Sequence, residues 1–495
     1  MPHFECGAFD HSATSPQRVG APHTKLRRPA QAAICGQVGG TSSPALTPAG
    51  QLATRRWFPF AAMSSTRAAF LIAAGRADMQ HYSVFRLALE ALRGQRGWQP
   101  AWRKAQLKSG YDIVIVGAGG HGLATAYYLA AEHGITNVAV IERGALGLGN
   151  VGRNTTIIRS NYFSPENIRF YDHSLKLWEG LEKTLNFNAM VSQRGALNLV
   201  HADGQRDLLA RRANLMRLEG VESEYLDKAA VKRLVPIIDT ENGRFPVLGG
   251  FLQRRGGTVR HDAVAWGYAR AASARGVDIV EHCEVTGVRR EGEAVTGVET
   301  TRGFVGAKKV LFAVAGHSSR LAAMAGFRLP IETHVLQAFV SEGVKPLIDT
   351  VVTYGAGHFY VSQSDKGGLV FGGHLDGYNS YARRGNLPVV EDVVAGGLTL
   401  MPSLGRLRVL RQWGGAMDMS LDGNPIISMT PVKNLFLNGG WCYGGFKAIP
   451  AGGFCTAHLV ATGEPHPLIA HFGLERFREG RVIDERGVGP YAWAH

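Results

Sequence analysis

The stretch Ile113-Val114-Ile115-Val116-Gly117-Ala118-Gly119-Gly120-His121-Gly122 decides the fold class of this chain of 495 residues. Four β-branched residues in a row are typical of a strand buried on both faces of a parallel sheet. After the glycines, apolar residues recur at helical spacing until Gly134, and Val138-Ala139-Val140-Ile141 predicts a second strand. The sequence therefore predicts a βαβ unit with a glycine-rich first turn.

This unit has the features of a dinucleotide site. Gly117 permits a tight turn, Gly119 lets the backbone approach a pyrophosphate, and Gly122 allows close packing of helix and strand. Gly120 is a further predicted cofactor-binding residue of this turn. The helix N-terminus adds free N–H groups and partial positive charge. Glu142 ends the second strand about 20 residues beyond Gly122, where a carboxylate can accept hydrogen bonds from ribose hydroxyls. Glycine-rich turns are common and need not bind any ligand. Here, however, the strand, the helix, the second strand and the acidic residue all follow in the order and spacing of a dinucleotide site.

Composition narrows the class of protein further. A hydrophobic content of 45% in 495 residues is enough for two or three domains. Because no run of roughly 20 apolar residues occurs, we expect no membrane span. Five widely spaced cysteines without a CxxC pair suit a reducing, cytoplasmic location, and the histidines show no paired metal spacing, so we predict no metal site. The net charge of +14 is spread without clustered aromatics, which argues against a nucleic-acid partner.

Residues 1–78 differ in composition from the rest of the chain. They are rich in Ala, Ser, Gly, Pro and Thr, and Arg and Lys outnumber the acidic residues. We expect this segment to be disordered. It can be a transit peptide, or upstream sequence translated ahead of an alternative start at Met79; we favour the second interpretation.

The remaining pattern predicts two interleaved domains of α/β class, with α+β elements in the second. Residues 79–110 form an arm with a short amphipathic helix, Val84 to Leu92, that packs on its own domain or on another subunit. A discontinuous Rossmann-like domain comprises 111–164, 256–327 and 421–470. A substrate domain with an antiparallel sheet comprises 165–255 and 328–420, and 471–495 is a C-terminal tail.

From about Met79 onward the chain resembles the beta subunits of heterotetrameric sarcosine oxidase, which are D-amino-acid-oxidase-like FAD oxidoreductases. Five segments carry the resemblance: Gly117 to Leu129, Arg153-Asn154-Thr155-Thr156-Ile157-Ile158-Arg159-Ser160-Asn161-Tyr162, Ser192-Gln193-Arg194-Gly195, Trp413-Gly414-Gly415 and Gly444-Gly445-Phe446-Lys447. The second and the last are far more specific than the nucleotide fingerprint. The resemblance covers roughly the last 415 residues.

The resemblance implies two flavins and their ligands. Non-covalent FAD would be held by His121, Gly122, Glu142, Asn150, Thr155, Ile157, Val285, Gly445 and Lys447. FMN would be attached covalently to His261, with His358 in contact with it. An imidazole nitrogen is a competent nucleophile toward an activated flavin methyl carbon, although a lone histidine before a helix is usually a cap or core residue. Cys442 stands where the family commonly has glycine, which puts a backbone contact there in doubt.

It also implies the reaction. Arg159 and Lys447 would bind the carboxylate of sarcosine, one as a planar fork and the other as a point charge. Either cation alone could equally be a surface or phosphate-neutralising group. FAD would take a hydride from the N-methyl group, and FMN would pass electrons to oxygen to give hydrogen peroxide. The products would be glycine and formaldehyde, or methylenetetrahydrofolate formed with tetrahydrofolate on the alpha subunit of a complex that also has gamma and delta subunits.

Alternative functions remain open at this point. The chain could be a dehydrogenase for another secondary amine or a D-amino acid, or a flavin-holding subunit without catalysis. The pairing of Arg159 with Lys447 speaks against the purely structural subunit. An RNA-modifying flavoprotein is disfavoured because no Lys/Arg-rich run is interleaved with aromatic residues.

Overall fold

The computed structural model describes residues 83–98, 100–483 and 485. The strands, in chain order, are β1 (Gly110–Val116), β2 (Val138–Ile141), β3 (Ile157–Ile158), β4 (Ala196–Val200), β5 (Glu224–Asp227), β6 (Gly249–Gln253), β7 (Gly257–Thr258), β8 (Asp278–Val280), β9 (Val285–Glu291), β10 (Ala294–Thr300), β11 (Gly303–Phe312), β12 (Ile331–Gly343), β13 (Val351–Tyr354), β14 (Phe359–Gln363), β15 (Gly368–Asn379), β16 (Val409–Ser420), β17 (Ile426–Met429) and β18 (Leu435–Gly439). The α-helices are α1 (Val84–Leu92), α2 (Gly120–Glu132), α3 (Pro165–Leu185), α4 (Asp203–Leu218), α5 (Lys228–Leu234), α6 (His261–Ala274), α7 (Ser318–Met324), α8 (Leu387–Leu400) and α9 (Ile449–Thr462).

The first sheet is built on the predicted nucleotide unit. Its central order is β17-β18-β11-β1-β2-β8, and β10 pairs with β11 and β9. β1 is parallel to β2 and β11, so the carboxyl ends of these three strands share one edge. Ligands of open α/β sheets bind in the crevice at such an edge. The predicted glycine turn, which follows β1 directly, therefore lies where a dinucleotide would bind.

The second sheet has the order β16-β12-β15-β14-β13-β4-β6-β5. Its pairs are antiparallel except β13 with β4, which are parallel. The predicted class, a discontinuous Rossmann-like unit joined to a second, largely antiparallel sheet, is confirmed. The strands of each sheet fall within the segments predicted for the two domains, and the domain boundaries stay a proposal.

Helices α2, α6 and α9 cover one face of the first sheet. Residues that the helical spacing predicted to be apolar and inward, such as Leu123 and Ala126, are fully buried there. Gly453 on α9 lies so close to α2 that a Cβ atom would come within 2.4 Å of the Ala124 methyl carbon. Tight helix packing of this kind fixes the direction of the α2 N-terminus toward the crevice.

Two segments differ from the sequence-based expectation. Helix α3, expected in the substrate domain, packs with α9 in the core of the first domain because Trp178 and Phe170 are buried there. The tail begins with packed structure: Arg476 is almost fully buried and its Nε lies 2.8 Å from a carboxylate oxygen of Asp422. Farther along, Glu485 accepts hydrogen bonds at the N-terminus of α3. The tail therefore contributes to the fold.

The arm helix α1 has the predicted bounds. Its apolar side chains do not pack on the domain: Phe85 and Leu92 are more than four-fifths exposed. The predictions for residues 1–78 and for Met79 lie outside the described residues. None of the helices in the described part of the chain is long and apolar enough to cross a membrane.

Candidate active site

A cavity of about 790 Å³ lies between the carboxyl edge of the first sheet and the second sheet. This volume is within the roughly 300–1,000 Å³ usual for cofactor and ligand sites. Twelve of the predicted site residues line it: Gly117, Gly119, Gly120, His121, Glu142, Asn150, Thr155, Ile157, Arg159, Val285, Gly445 and Lys447. The structure therefore brings the nucleotide turn and the two predicted substrate cations into one space.

The glycine turn has the backbone geometry that each glycine was predicted to need. Gly117 has φ of +108°, and a Cβ atom there would lie 2.5 Å from the carbonyl oxygen of Ala313. A Cβ atom on Gly119 would meet nothing within 4 Å, so the space in front of the helix N-terminus is open. Gly122 does not line the cavity; its missing Cβ instead lets α2 approach the carbonyl oxygen of Gly117. The turn thus fits an approaching pyrophosphate.

Glu142 is fixed beside this turn. Its carboxylate oxygens accept hydrogen bonds from the backbone N–H groups of Ala118, at 3.0 Å, and Gly144, at 2.9 Å. Each carboxylate oxygen can accept a further hydrogen bond. Glu142 can therefore hold ribose hydroxyls while it also stabilises the turn.

His121 joins helix α2 to the glycine-rich loop that follows β18, residues 440–447, which is called the late loop below. Its Nε2–H donates to the carbonyl oxygen of Gly445 at 2.9 Å, and its ring stacks on Trp441 with centroids 4.2 Å apart. Burial lowers the pKa of His121 to about 3, so the ring is neutral. His121 was predicted to contact the pyrophosphate. Because its side chain contacts Gly445 and Trp441, this contact would be made by its backbone N–H.

Lys447 is a buried cation. Its Nζ donates to the carbonyl oxygen of Tyr443 at 2.6 Å, and burial, with a smaller contribution from Arg159, holds its pKa well below the usual value. The backbone carbonyl of Lys447 accepts hydrogen bonds from Ser174 and Trp178 of α3. Helix α3 therefore positions this lysine.

Arg159 follows the short strand β3. Its Nη1 donates to the side-chain oxygen of Asn161 at 2.7 Å, and its guanidinium lies 4.9 Å from the ring centroid of Tyr162. Arg159 lowers the pKa of both Lys447 and Arg212, which shows that the three cations are close enough to repel one another. Among the described residues, no carboxylate forms an ion pair with Arg159 or Lys447, so the pair can receive an anionic ligand.

Two buried groups that can lose a proton, Asp418 of β16 and Cys442 of the late loop, contact each other's segments beside the cavity. Burial raises the pKa of Asp418 to about 6, and its carboxylate accepts a hydrogen bond from the backbone N–H of Trp441. Burial raises the pKa of the Cys442 thiol to about 12. Cys442 lines the cavity with φ of +49°, a conformation that glycine would adopt without strain.

The two histidines predicted to hold FMN lie outside this cavity. His261 is the first residue of α6, and its Nδ1 is buried without a hydrogen-bond partner among the described residues. His358 is exposed, and its Nδ1 lies 3.1 Å from Asp392 and 3.2 Å from Nδ1 of His374. The structure therefore separates both residues from the nucleotide turn.

The sequence analysis missed a second group of cavity residues: Arg143, Arg153, Arg320, Arg383 and His317. Arg143 directly follows Glu142 and could have been found from that position. Arg153 begins one of the segments that carry the family resemblance, but no role was assigned to it. Arg320, Arg383 and His317 come from segments that were given no role, and only the fold brings the group together.

The fold and the cavity together define an oxidoreductase that uses a dinucleotide cofactor and has a positively charged site for an anionic ligand. The family model for FAD-dependent oxidoreductases of the DAO type matches residues 112–459. The chain is 66% identical to the sarcosine oxidase subunit beta of Rhizobium meliloti (strain 1021), over 82% of this chain and 98% of that protein. It is 53% identical to the subunit of the same name from Rhodobacter capsulatus, with the same coverage. The chain therefore belongs to the sarcosine oxidase beta-subunit family of FAD-dependent oxidoreductases.

Solved structures give the same fold. L-proline dehydrogenase from P. horikoshii superposes with a TM-score of 0.71 and 26% identity, over 76% of this chain and all of that one. Glycine oxidase from Geobacillus kaustophilus gives a TM-score of 0.68 at 22% identity, over 74% and 99% of the two chains. The predicted enzyme class, an FAD-dependent oxidoreductase, is confirmed.

Proposed function

We propose that this chain oxidises sarcosine, N-methylglycine, to glycine, and that Arg159 and Lys447 hold the substrate carboxylate. The observation that carries the proposal is that these two cations, 288 positions apart in the numbering, line the same cavity as the nucleotide turn. Neither forms an ion pair with a carboxylate of the described residues, although Glu485 lies near enough to Arg159 for the arginine to reduce the rise that burial causes in the pKa of its carboxyl group. Buried charges are normally paired. A bound carboxylate would provide the missing partner.

The protein residues act by binding and orientation. The Tyr443 carbonyl fixes one N–H of the Lys447 ammonium and leaves its other donors for the carboxylate. Trp441 and Phe446, both buried, form an apolar wall that limits water around the substrate. With the acid end held, the N-methyl group has a defined direction, and orientation of this kind is a large part of catalysis. No general base is needed if the free amine binds.

FAD, when bound, supplies the two-electron oxidation of the substrate C–H bond. The glycine turn, Glu142 and Val285 would hold its dinucleotide half, and Asn150, Thr155, Ile157 and Gly445 would line the path of its ring. Relatives with the printed names sarcosine oxidase and glycine oxidase support amine oxidation as the class of chemistry.

The finer parts of the proposal concern a second flavin and the complex. FMN would be attached to His261, whose buried, unpartnered Nδ1 and lowered pKa keep the imidazole neutral and nucleophilic. His358 stays a predicted FMN contact. Oxygen as the acceptor, hydrogen peroxide, formaldehyde or methylenetetrahydrofolate as products, and alpha, gamma and delta partner subunits belong to the same proposal. A cytoplasmic location stays a prediction.

Anaerobic mixing of the purified holoprotein with sarcosine tests the proposal. Bleaching of the flavin absorbance at the rate of turnover is expected. Dimethylglycine, L-proline and a D-amino acid serve as parallel substrates. Faster bleaching with one of these compounds would show that it, rather than sarcosine, is the substrate. Absence of bleaching with sarcosine and with all three compounds would reject a catalytic role.

A further inference from the structure

Four arginines other than Arg159 line the cavity and lie close to one another or to His317. Arg143 follows β2, Arg320 follows β11 on α7, and Arg153 and Arg383 come from the loops that contact β16. All four line the cavity. In the part of the chain that the structure describes, none of them forms an ion pair with a carboxylate.

The position of this cluster follows from the topology of the first sheet. β11, β1 and β2 are adjacent and parallel, so Arg143, Arg320 and the glycine turn emerge from the same edge. Arg153, from the first-domain segment, and Arg383, from the second, are both held by hydrogen bonds from β16. The Trp413 indole N–H donates to the Arg153 carbonyl at 2.7 Å, and the next residue of β16 donates its backbone N–H to the Arg383 carbonyl at 3.0 Å.

His317 lies among these arginines. It carries no negative charge and therefore cannot balance the positive charge of the arginines. Arg143 donates to Nε2 of His317 at 2.9 Å, and the imidazole stacks on Tyr381 with centroids 4.9 Å apart. Burial and the neighbouring arginines Arg143, Arg320 and Arg383 lower the pKa of His317 to about 4. Arg383 likewise lowers the pKa of Arg153, so the guanidinium groups repel one another.

We propose that Arg143, Arg153, Arg320 and Arg383 form a clamp on the pyrophosphate of FAD, opposite the N-terminus of α2. The helix N-terminus offers N–H groups from one side. The arginines supply opposite charge from the other, and guanidinium groups match phosphate oxygens in geometry. Because Arg383 belongs to the second-domain segment and Arg143 to the first, bound FAD links the two segments through its phosphates. Without FAD the arginines repel one another only weakly, because Arg143, Arg320 and Arg383 are exposed and their charges are screened by water and salt.

Several carboxylates near this cavity do not remove the need for an anion. Glu142 is held by backbone N–H groups, and Asp418 is a buried residue of β16 whose neutral form is favoured by burial. Glu284 lines the cavity but is exposed and forms no ion pair among the described residues. The cluster therefore keeps an excess of positive charge at the place where the dinucleotide phosphates would lie.

The test uses the full-length holoprotein, its Arg320→Gln, Arg383→Gln and double variants, and Arg233→Gln as control. Arg233 is exposed on α5 and does not line the cavity. FAD released by ultrafiltration is identified by chromatography at increasing KCl concentrations. Removing one charge-assisted contact should weaken FAD binding about tenfold or more at low salt. The difference should shrink as salt screens the partly exposed charges, while Arg383→Lys should keep the salt dependence.

A second measurement separates a clamp from a structural role. The glutamine variants should lower the melting temperature of the FAD-bound protein. They should not lower that of the protein from which FAD has been removed, because there they break no contact and relieve a weak repulsion. If FAD retention and its salt dependence match the unmodified protein, or if both melting temperatures fall together, the clamp is rejected. The readout is FAD binding, so an error in the proposed sarcosine substrate would leave the result unaffected.

Discussion

The imidazole of His121 stacks on the indole of Trp441 with ring centroids 4.2 Å apart and an interplanar angle of 13°. His121 is in the first turn of α2, and Trp441 lies in the loop that leads to Lys447. The same imidazole donates to the Gly445 carbonyl. Helix α2 thus holds the loop that carries Lys447, the lysine proposed to bind the substrate carboxylate. The same helix would therefore position both FAD and the substrate.

Replacing His121 should separate the two parts of this contact. His121→Phe keeps an aromatic ring against Trp441 and loses the hydrogen bond, at a cost of roughly 1 kcal/mol of unfolding free energy. His121→Ala also loses the ring and leaves a cavity, and we expect at least about 2 kcal/mol. Denaturant unfolding of both variants measures the difference. Equal costs for Phe and Ala would show that the stacking contributes nothing.

Two glycines of the turn should respond differently to alanine. In Gly122→Ala the new methyl carbon would lie 2.0 Å from the Gly117 carbonyl oxygen, so the helix must move. We expect a loss of roughly 1–3 kcal/mol with or without FAD. In Gly119→Ala the methyl group meets only open space, so stability without FAD should change less, while FAD affinity falls. Thermal unfolding and FAD titration of both variants check this; a larger loss of flavin-free stability in Gly119→Ala would contradict it.

The elements near the nucleotide turn could be predicted because their signals are local. Continuous β-branched strands, a helical apolar period and glycines at fixed offsets place β1, α2 and β2 without tertiary information. Helix α1 was also found from a short pattern.

The rest of the site depends on contacts between distant segments. His121 and Trp441 are joined only in the folded chain, and no spacing rule links Arg143 with Arg383. Helix α3 was expected in the other domain because its sequence shows an amphipathic helix but not the surface on which it packs. The resemblance placed Arg159 and Lys447 together, whereas their chemistry alone left a surface role open.

Lys447→Met should weaken substrate binding more than folding. Loss of a charged contact to the carboxylate should raise KM about tenfold or more. Because the pKa of Lys447 is lowered, KM of the unmodified protein should also rise with pH as the ammonium loses its proton, below the pH usual for lysine. Methionine should abolish that dependence. Lys309→Met is a matched control, since Lys309 also donates to buried carbonyls but does not line the cavity. If Lys309→Met raised KM as much as Lys447→Met does, the effect would come from lost stability and not from a lost contact to the substrate.

His261→Ala should remove covalently bound flavin. Acid denaturation of the unmodified protein is expected to leave FMN on the polypeptide and release FAD. In the variant both should appear in the supernatant, because the nucleophilic imidazole is gone. His358→Ala is the control, since that residue is predicted only to contact FMN and the covalent flavin should remain. Yellow polypeptide after denaturation of His261→Ala would place the attachment elsewhere.

Acid should destabilise the fold through its buried neutral histidines. Burial lowers the pKa of His121 to about 3, and of His317 and His471 to about 4, while an unfolded histidine titrates near 6.5. The unfolded state therefore binds more protons below that value, so stability is complete above pH 6.5 and is lost as the pH falls toward 4.

Each of these histidines contributes at most about 1.4 kcal/mol per pH unit. Asp418 opposes them, because its pKa is raised to about 6 and the folded state binds its proton first. Burial also raises the pKa of Glu485, which acts in the same direction as Asp418, but it lowers the pKa of five further histidines, so a net loss of stability in acid is expected. Urea unfolding between pH 7.5 and 4.5 measures the slope, and His471→Phe, which lies outside the cavity, should make it shallower by about one proton. An unchanged slope in that variant would show that His471 is already protonated in the folded protein.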